Sequence, residues 1–154
     1  MRLRPVLDTD LVLLAQHLPG LLPGNWAPAA IAALQQRQHP LRVLELTDID
    51  NPVQIGFAEY QCIVDEAHLY GIAIFPDWQR QGYGARLLSR LLVEMAASGC
   101  ARCLLEVRQS NLAAQALYRT AGFSCDGRRR GYYPAAPGAN AVEDALLFSR
   151  QLPA

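Results

Sequence analysis

Apolar positions along the chain switch between a spacing of two and a spacing near 3.6, and each switch predicts an element. Arg2 to Leu7 alternates charged and apolar residues and predicts a strand, after which Asp8-Thr9-Asp10 opens a helix running to about His17. Pro19-Gly20 ends that helix, and Leu21 to Trp26 reads as a loop interrupted by proline and glycine. Ala27 to Gln38 predicts a second, alanine-rich helix with Pro28 at its start, and Pro40 breaks it. Leu41 to Leu46 and Val53 to Val64 predict two strands joined by the polar turn Thr47 to Pro52. Asp65-Glu66 then turns the chain into a central strand, Ala67 to Phe75.

The second half repeats the alternation of strand and helix. After a loop with two glycines, Leu87, Leu88, Leu91, Leu92 and Met95 form one apolar face of a helix, with Gly99 as its C-terminal cap. Arg102 to Val107 predicts a strand, and Ser110-Asn111 caps a helix reaching about Ala121. Gly122-Phe123 restarts a strand toward Gly131, Tyr133 to Ala141 is a loop, and Val142 to Leu152 is the last strand. With no internal repeat, low-complexity tract or linker, the pattern predicts a single mixed α/β domain over 1–154, most of its strands in one sheet.

Composition narrows the function classes. Hydrophobic residues make up 51% of the chain and charged residues 18%, which fits a packed globule and not a disordered chain. Fourteen basic and fourteen acidic residues cancel, so no global charge draws the protein to nucleic acid or an anionic membrane. No apolar run approaches the roughly 18–20 residues of a spanning helix, and Met1 to Asp8 lacks the apolar core of a secretion signal, so the expected compartment is the cytosol. Cys62, Cys100, Cys103 and Cys125 are too scattered for a disulfide framework, and no second paired motif completes a zinc site with Cys100 and Cys103. They read as small buried hydrophobes and reduced thiols, and no metal is expected. The run Arg128-Arg129-Arg130 reads as a solvated face.

Two stretches carry candidate chemistry. In Gln79-Arg-Gln-Gly82-Tyr-Gly84, glycines at a helix entrance offer main-chain N–H groups to a phosphate or pyrophosphate. The Gly-Lys-Ser/Thr ending of a P-loop is missing, and Leu87 stands where a dinucleotide fingerprint needs its third glycine. The second stretch, Leu104 to Phe123, places Glu106 two residues from a strand's C-terminal end. Asn111, Gln115 and Tyr118 then share one side of the following helix, a polar line beside the carboxylate, while Leu112, Ala113, Ala116 and Thr120 take the side facing the sheet. Arg108 or solvent is the nearest expected partner of Glu106.

The glycine pattern Q-x-x-G-x-G resembles that of the GNAT acetyltransferases. So do Val64 to Ile74, Pro76 to Ala85, Leu105 to Asn111, Ala116 to Tyr118 with Gly122-Phe123, Arg129 to Pro134, and Glu143 to Ala145, in family order over roughly residues 60–150. Within that superfamily the chain is similar to the RimI type, which acetylates the N-terminal alanine of a small-subunit ribosomal protein. The resemblance implies a three-layer α/β fold, with a mostly antiparallel sheet of about six to seven strands flanked by about four helices. It also implies acetyl-CoA as cosubstrate and a protein N-terminus as partner. By position it implies Glu106 as general base and Tyr118 as general acid. Ile72, Ala73 and Ile74 would bind the pantetheine arm, Arg80, Gln81, Gly82, Tyr83, Gly84 and Ala85 the pyrophosphate, and Asn111 the cofactor from the helix start. Trp26, Gly71, Tyr132 and Tyr133 would shape the acceptor entrance, with Gly71 standing where the RimI type carries asparagine. Two other readings stay open at this point: an acetyltransferase acting on lysine side chains or small amines, and a CoA-binding interaction module without turnover.

Overall fold

In the computed structural model, residues 1–22, 26–36, 40–47, 51–135 and 140–153 are described. Among them lie seven strands and four helices: β1 Arg2–Pro5, α1 Leu11–His17, α2 Pro28–Gln36, β2 Leu41–Thr47, β3 Pro52–Ile63, β4 Glu66–Ile74, α3 Tyr83–Ala97, β5 Arg102–Arg108, α4 Leu112–Thr120, β6 Ser124–Tyr133 and β7 Glu143–Gln151. The strands form one sheet in the order β1-β2-β3-β4-β5-β7-β6, so the strand expected at the centre, β4, is the fourth of seven. The pairs β1·β2, β2·β3, β5·β7 and β6·β7 are antiparallel. This is the mixed, mostly antiparallel α/β architecture that the resemblance implied. No helix among the described residues is long and apolar enough to cross a membrane.

The chain folds into two compact units, Met1–Gln61 with Leu69–Leu91, and Cys62–His68 with Leu92–Ala154. In the first, β1 pairs with β2 from Arg2↔Glu45 to Pro5↔Arg42, and β2 continues onto β3 with a bulge at Leu44/Glu45. Its core collects Leu14 and Leu18 from the first helical stretch, Ile31 from α2, and Val43, Phe57 and Phe75 from the strands and the exit of β4. The alternation on β4 is regular: Ala67, Leu69, Gly71 and Ala73 are buried, and the residues between them are more open. That is period two with one face covered.

In the second unit β5 alternates in the same way, with Cys103, Leu105 and Val107 buried. It pairs with β7 from Arg102↔Gln151 to Arg108↔Ala145. Helix α3 belongs to the first unit up to Leu91 and to the second from Leu92, and its predicted stripe is borne out, since Leu87, Leu88, Leu91, Leu92 and Met95 are all buried while Val93 is exposed. Gly99 ends the helix in the left-handed region (φ 88°), where a side chain would be strained.

Several boundaries move. The stretch after β1 is a 3-10 turn at Asp8–Asp10 before α1, and a second such turn at Leu18–Gly20 follows it. Parts of the predicted Leu21–Trp26 loop, Ala27–Gln38 helix, Thr47–Pro52 turn and Tyr133–Ala141 loop lie outside the described residues. Cys100 and Cys103 are buried free thiols as expected, but Cys125 is exposed, because β6 is the last strand of the sheet.

Candidate active site

The glycine loop belongs to the first unit. Beyond β4, the Phe75 N–H donates to the Ile55 carbonyl at 2.9 Å, and Pro76–Trp78 makes one 3-10 turn. Arg80 (φ 56°) and Gly82 (φ 81°) are both left-handed, one residue apart, and α3 starts at Tyr83, so Gly84 lies in the first helical turn and not in the loop. The first helical rung is Arg86 N–H to Gly82 O at 3.2 Å. Earlier N–H groups of α3 therefore have no acceptor within the helix. Alternating handedness before a helix start turns successive N–H groups to one side, which makes an anion-binding concavity.

Two glutamines hold that shape. Gln79 Nε2 donates to the Ile74 carbonyl at 2.9 Å, and Gln81 Nε2 donates to the Asp77 carbonyl at 3.0 Å. Tyr83 is met edge-on by Trp78 at 6.0 Å and covered by the Arg86 guanidinium at 5.7 Å. A Cβ on Gly82 would meet no heavy atom within 4 Å, so a ligand can reach the backbone there.

Ile72, Ala73 and Ile74 are the last three residues of β4, with Ala73 buried and the isoleucines half-buried. Before them Gly71 lies under Leu22, whose Cδ1 would stand 2.9 Å from a Cβ at that position. Trp26 is buried, donates its indole N–H to the Leu22 carbonyl at 3.0 Å and meets Phe57 edge-on at 5.4 Å. Its neighbour Asn25 lies outside the described residues.

The carboxylate belongs to the second unit. Glu106 is half-buried on β5, and its Oε1 pairs with Arg129 Nη1 at 3.2 Å, not with Arg108. Arg108 instead bonds Glu143 Oε2 and the Pro134 carbonyl, both at 3.1 Å, and lies 4.5 Å over the Tyr133 ring. The partner of Glu106 is set by strand register. Between Arg129↔Ala145 and Tyr133↔Glu143, three residues of β6 oppose Asp144 alone. Gly131 takes this bulge at φ 59°, and its N–H donates to Asp144 Oδ1 at 2.8 Å.

That bulge brings Tyr132 to the carboxylate. A hydrogen bond to Glu106, then the negative charge itself, raises the Tyr132 phenol above its ordinary range. Arg129 lies 5.3 Å over the Tyr132 ring, and Tyr132 meets Tyr133 edge-on at 5.1 Å. Tyr133 is pushed up as well, first by burial and then by Glu106. The arginine run is solvated as expected, all three residues being exposed, and two of them are also paired: Arg129 with Glu106, and Arg128, whose Nε lies 3.5 Å from Asp144.

Asn111 caps α4, its Oδ1 accepting the Ala114 N–H at 3.1 Å. Farther along the helix the expected orientation is reversed. Leu112, Ala113, Ala116 and Thr120 are exposed, while Gln115 and Tyr118 are the buried residues. Gln115 can be buried because its amide donates to the carbonyls of Arg108 (3.2 Å) and Gln109 (2.8 Å), fastening α4 to the end of β5. Tyr118 packs against Phe123 (5.7 Å) and Phe148 (6.1 Å). Burial, with smaller contributions from Tyr133 and Cys103, holds its phenol well above the usual range, so it stays protonated at neutral pH.

Sequence reasoning placed Gln115 in the polar line but not on the end of β5, and it missed the pairing of Arg129 and the role of Glu143, which also accepts the Ser110 N–H. No group of three or more His, Cys, Asp or Glu residues that could hold a metal ion occurs among the described residues. The thiol of Cys103 is pushed up to about 12, chiefly by burial, which makes it inert as a nucleophile or ligand.

The model of the acetyltransferase (GNAT) family matches residues 13–123, a span that includes β4, the glycine loop, Glu106 and Tyr118. The chain belongs to this family. It is 44% identical over 108 residues to the [ribosomal protein bS18]-alanine N-acetyltransferase of Escherichia coli K12, covering 70% of this chain and 71% of that one. The crystal structure of the Escherichia coli ribosomal-protein-S18-alanine N-acetyltransferase superposes with a TM-score of 0.81 at 33% identity, over 99% of this chain and 94% of that one. The fold is shared more widely: a Salmonella typhimurium protein solved with its cofactor acetyl-CoA gives a TM-score of 0.77 at 17% identity, over 100% of this chain and 95% of that one. Family membership makes the chain an acetyl-CoA-dependent N-acetyltransferase, and the non-catalytic reading falls away.

Proposed function

We propose that this GNAT enzyme transfers the acetyl group of acetyl-CoA to the N-terminal α-amine of a protein, with the N-terminal alanine of a small-subunit ribosomal protein as its acceptor. The observation that carries this reading is the 44% identity with the bS18-alanine enzyme, over a stretch of 108 residues.

In this reading the loop from Arg80 to Ala85 takes the pyrophosphate of acetyl-CoA on its main-chain N–H groups, an arrangement that suits an anion at a helix start. Ile72 to Ile74 bind the pantetheine arm through their backbone and polarise the thioester carbonyl, and Asn111 contacts the cosubstrate from the start of α4. Trp26, Gly71, Tyr132 and Tyr133 border the acceptor. Glu106 takes a proton from the α-ammonium, directly or through water. The freed amine attacks the thioester carbonyl, the C–N bond forms, and the C–S bond breaks. The departing CoA thiolate receives the proton of Tyr118, and the second proton leaving the nitrogen as the amide forms restores the Tyr118 phenol.

The physical chemistry supports these roles. An α-amine has an ordinary pKa near 8, so a carboxylate acting in concert with binding suffices as base. Burial keeps the Tyr118 phenol protonated at neutral pH, so it holds a proton to give as the C–S bond breaks. Direct attack needs no enzyme nucleophile.

The decisive measurement is mass spectrometry of protein N-terminal peptides from cells with and without the protein. A ribosomal-protein alanine terminus should lose its acetyl group when the protein is absent. An unchanged set of termini sinks the reading. In purified enzyme, Glu106→Gln should lower turnover by about 10²–10³-fold with little change in acetyl-CoA affinity. Tyr118→Phe should also lower turnover, through thiolate release. A wild-type rate in either variant removes that residue from the mechanism.

A further inference from the structure

Arg129 has no role in the reading above, yet its guanidinium holds the carboxylate on which that reading depends. Nη1 lies 3.2 Å from Glu106 Oε1, and the guanidinium rests 5.3 Å over the ring of Tyr132. The β6 bulge fixes this grouping through Gly131 N–H to Asp144. Asp144 also engages Arg128. Of the neighbouring charges, Arg108 is occupied by Glu143 and the Pro134 carbonyl. Glu106 therefore carries a resident cation that never deprotonates. Both side chains reach solvent, with 55% of the Arg129 side chain and 27% of the Glu106 side chain exposed, so an acceptor can come to them.

We propose that Arg129 is a specificity-determining residue that selects α-amines over lysine ε-amines. The proposal rests on Glu106 acting as the base. A bare carboxylate would draw any ammonium ion; a carboxylate already matched by a guanidinium does not, and a second cation beside it is repelled. Only an amine that gives up its proton readily escapes this repulsion. At pH 7 about one α-amine in ten is already neutral, against about one lysine in 2,500. Arg129 thus converts a difference in amine pKa into a difference in rate. The proton leaves the ammonium for Glu106, and the neutral amine goes on to the thioester.

Two peptides test this, one beginning with free alanine and lacking lysine, the other N-terminally blocked with a single lysine. Their kcat/KM values are compared in wild type, Arg129→Gln and Arg129→Lys, with acetyl-CoA affinity measured by calorimetry as the control for folding. In Arg129→Gln the α-over-ε ratio should fall by about tenfold or more, chiefly through a lower KM for the lysine peptide. Arg129→Lys, which keeps the cation, should hold the ratio within about threefold of wild type. Acetyl-CoA affinity should not move. An unchanged ratio in Arg129→Gln, or an equal loss for both peptides, overturns the proposal while leaving the N-terminal reading intact. A wild-type preference for the lysine peptide overturns the N-terminal reading itself.

Discussion

Arg4 and Asp10 meet as a two-pronged buried pair, Nη1 to Oδ2 at 2.6 Å and Nη2 to Oδ1 at 2.8 Å. Glu45 takes the remaining edge of the guanidinium, Nε to Oε1 at 2.8 Å, and the Leu7 N–H and Gln54 amide complete Asp10. The cluster ties β1 and the first 3-10 turn to β2 and β3.

Burial by itself pushes the Asp10 carboxyl up, but the Arg4 hydrogen bonds, the Leu7 N–H, the Arg4 charge and Gln54 outweigh it, and the net shift is downward from 3.8. A carboxyl depressed in the folded state stabilises fully above its unfolded pKa. That stabilisation is lost as pH falls through the lower, folded value. Asp10→Asn should cost about 3–5 kcal/mol at pH 7, because Arg4 stays buried with less charge to balance it. The variant's stability should also change less than wild type's as pH falls below 3.8. Urea unfolding at pH 7 and along an acid series reads both effects, and parallel acid curves would show that Asp10 is not the titrating group.

Gly56 and Gly71 face different neighbours, and the difference predicts their tolerance. A Cβ at Gly56 would lie 2.8 Å from the Ala73 carbonyl oxygen, a backbone atom of the adjacent strand that cannot turn aside. A Cβ at Gly71 would meet only the end of the Leu22 side chain within that range, at 2.9 Å. Gly56→Ala should therefore cost about 1–3 kcal/mol, and Gly71→Ala less than about 1 kcal/mol, as Leu22 changes rotamer. Chemical denaturation of the two variants gives the order, and an equal loss would contradict it.

Gln115 shows where a pattern of apolar and polar residues stops being informative. The stripe of α3 was legible because five large aliphatic side chains share one side of a fifteen-residue helix. Helix α4 has nine residues, many of them small, and its buried positions are filled by an amide and a phenol. Apolarity pointed to Leu112, which is 72% exposed, because the carbonyls that satisfy Gln115 belong to the preceding strand end and carry no sequence signature. The partner of Glu106 was hidden for a related reason. Arg108 is close in sequence, but Arg129 is brought over by the register of β6 on β7 and its bulge. Gln115→Leu, near in size but without donors, should destabilise by about 1–3 kcal/mol through loss of the two bonds to Arg108 and Gln109. Thermal unfolding measures this, and Leu112→Ser should change stability by less than about 0.5 kcal/mol.

Gly82 separates the shape of the glycine loop from its proposed task. Its φ of 81° is strained for any L side chain, by roughly 1–2 kcal/mol, although nothing stands within 4 Å of the added Cβ. Gly82→Ala should thus lower stability by about that amount without any steric clash. Because the loop relieves the strain by leaving the left-handed region, its N–H groups turn away from a common point, and acetyl-CoA affinity should fall by about tenfold or more. Arg80 provides the opposite change. It is already left-handed at φ 56°, so Arg80→Gly relaxes the backbone and should leave stability equal or higher, while removing a positive charge from the proposed pyrophosphate loop. Calorimetric titration with acetyl-CoA, paired with melting curves, distinguishes the two. If Gly82→Ala lowers the melting temperature but binds acetyl-CoA as wild type does, the glycine serves the fold alone and the pyrophosphate lies elsewhere.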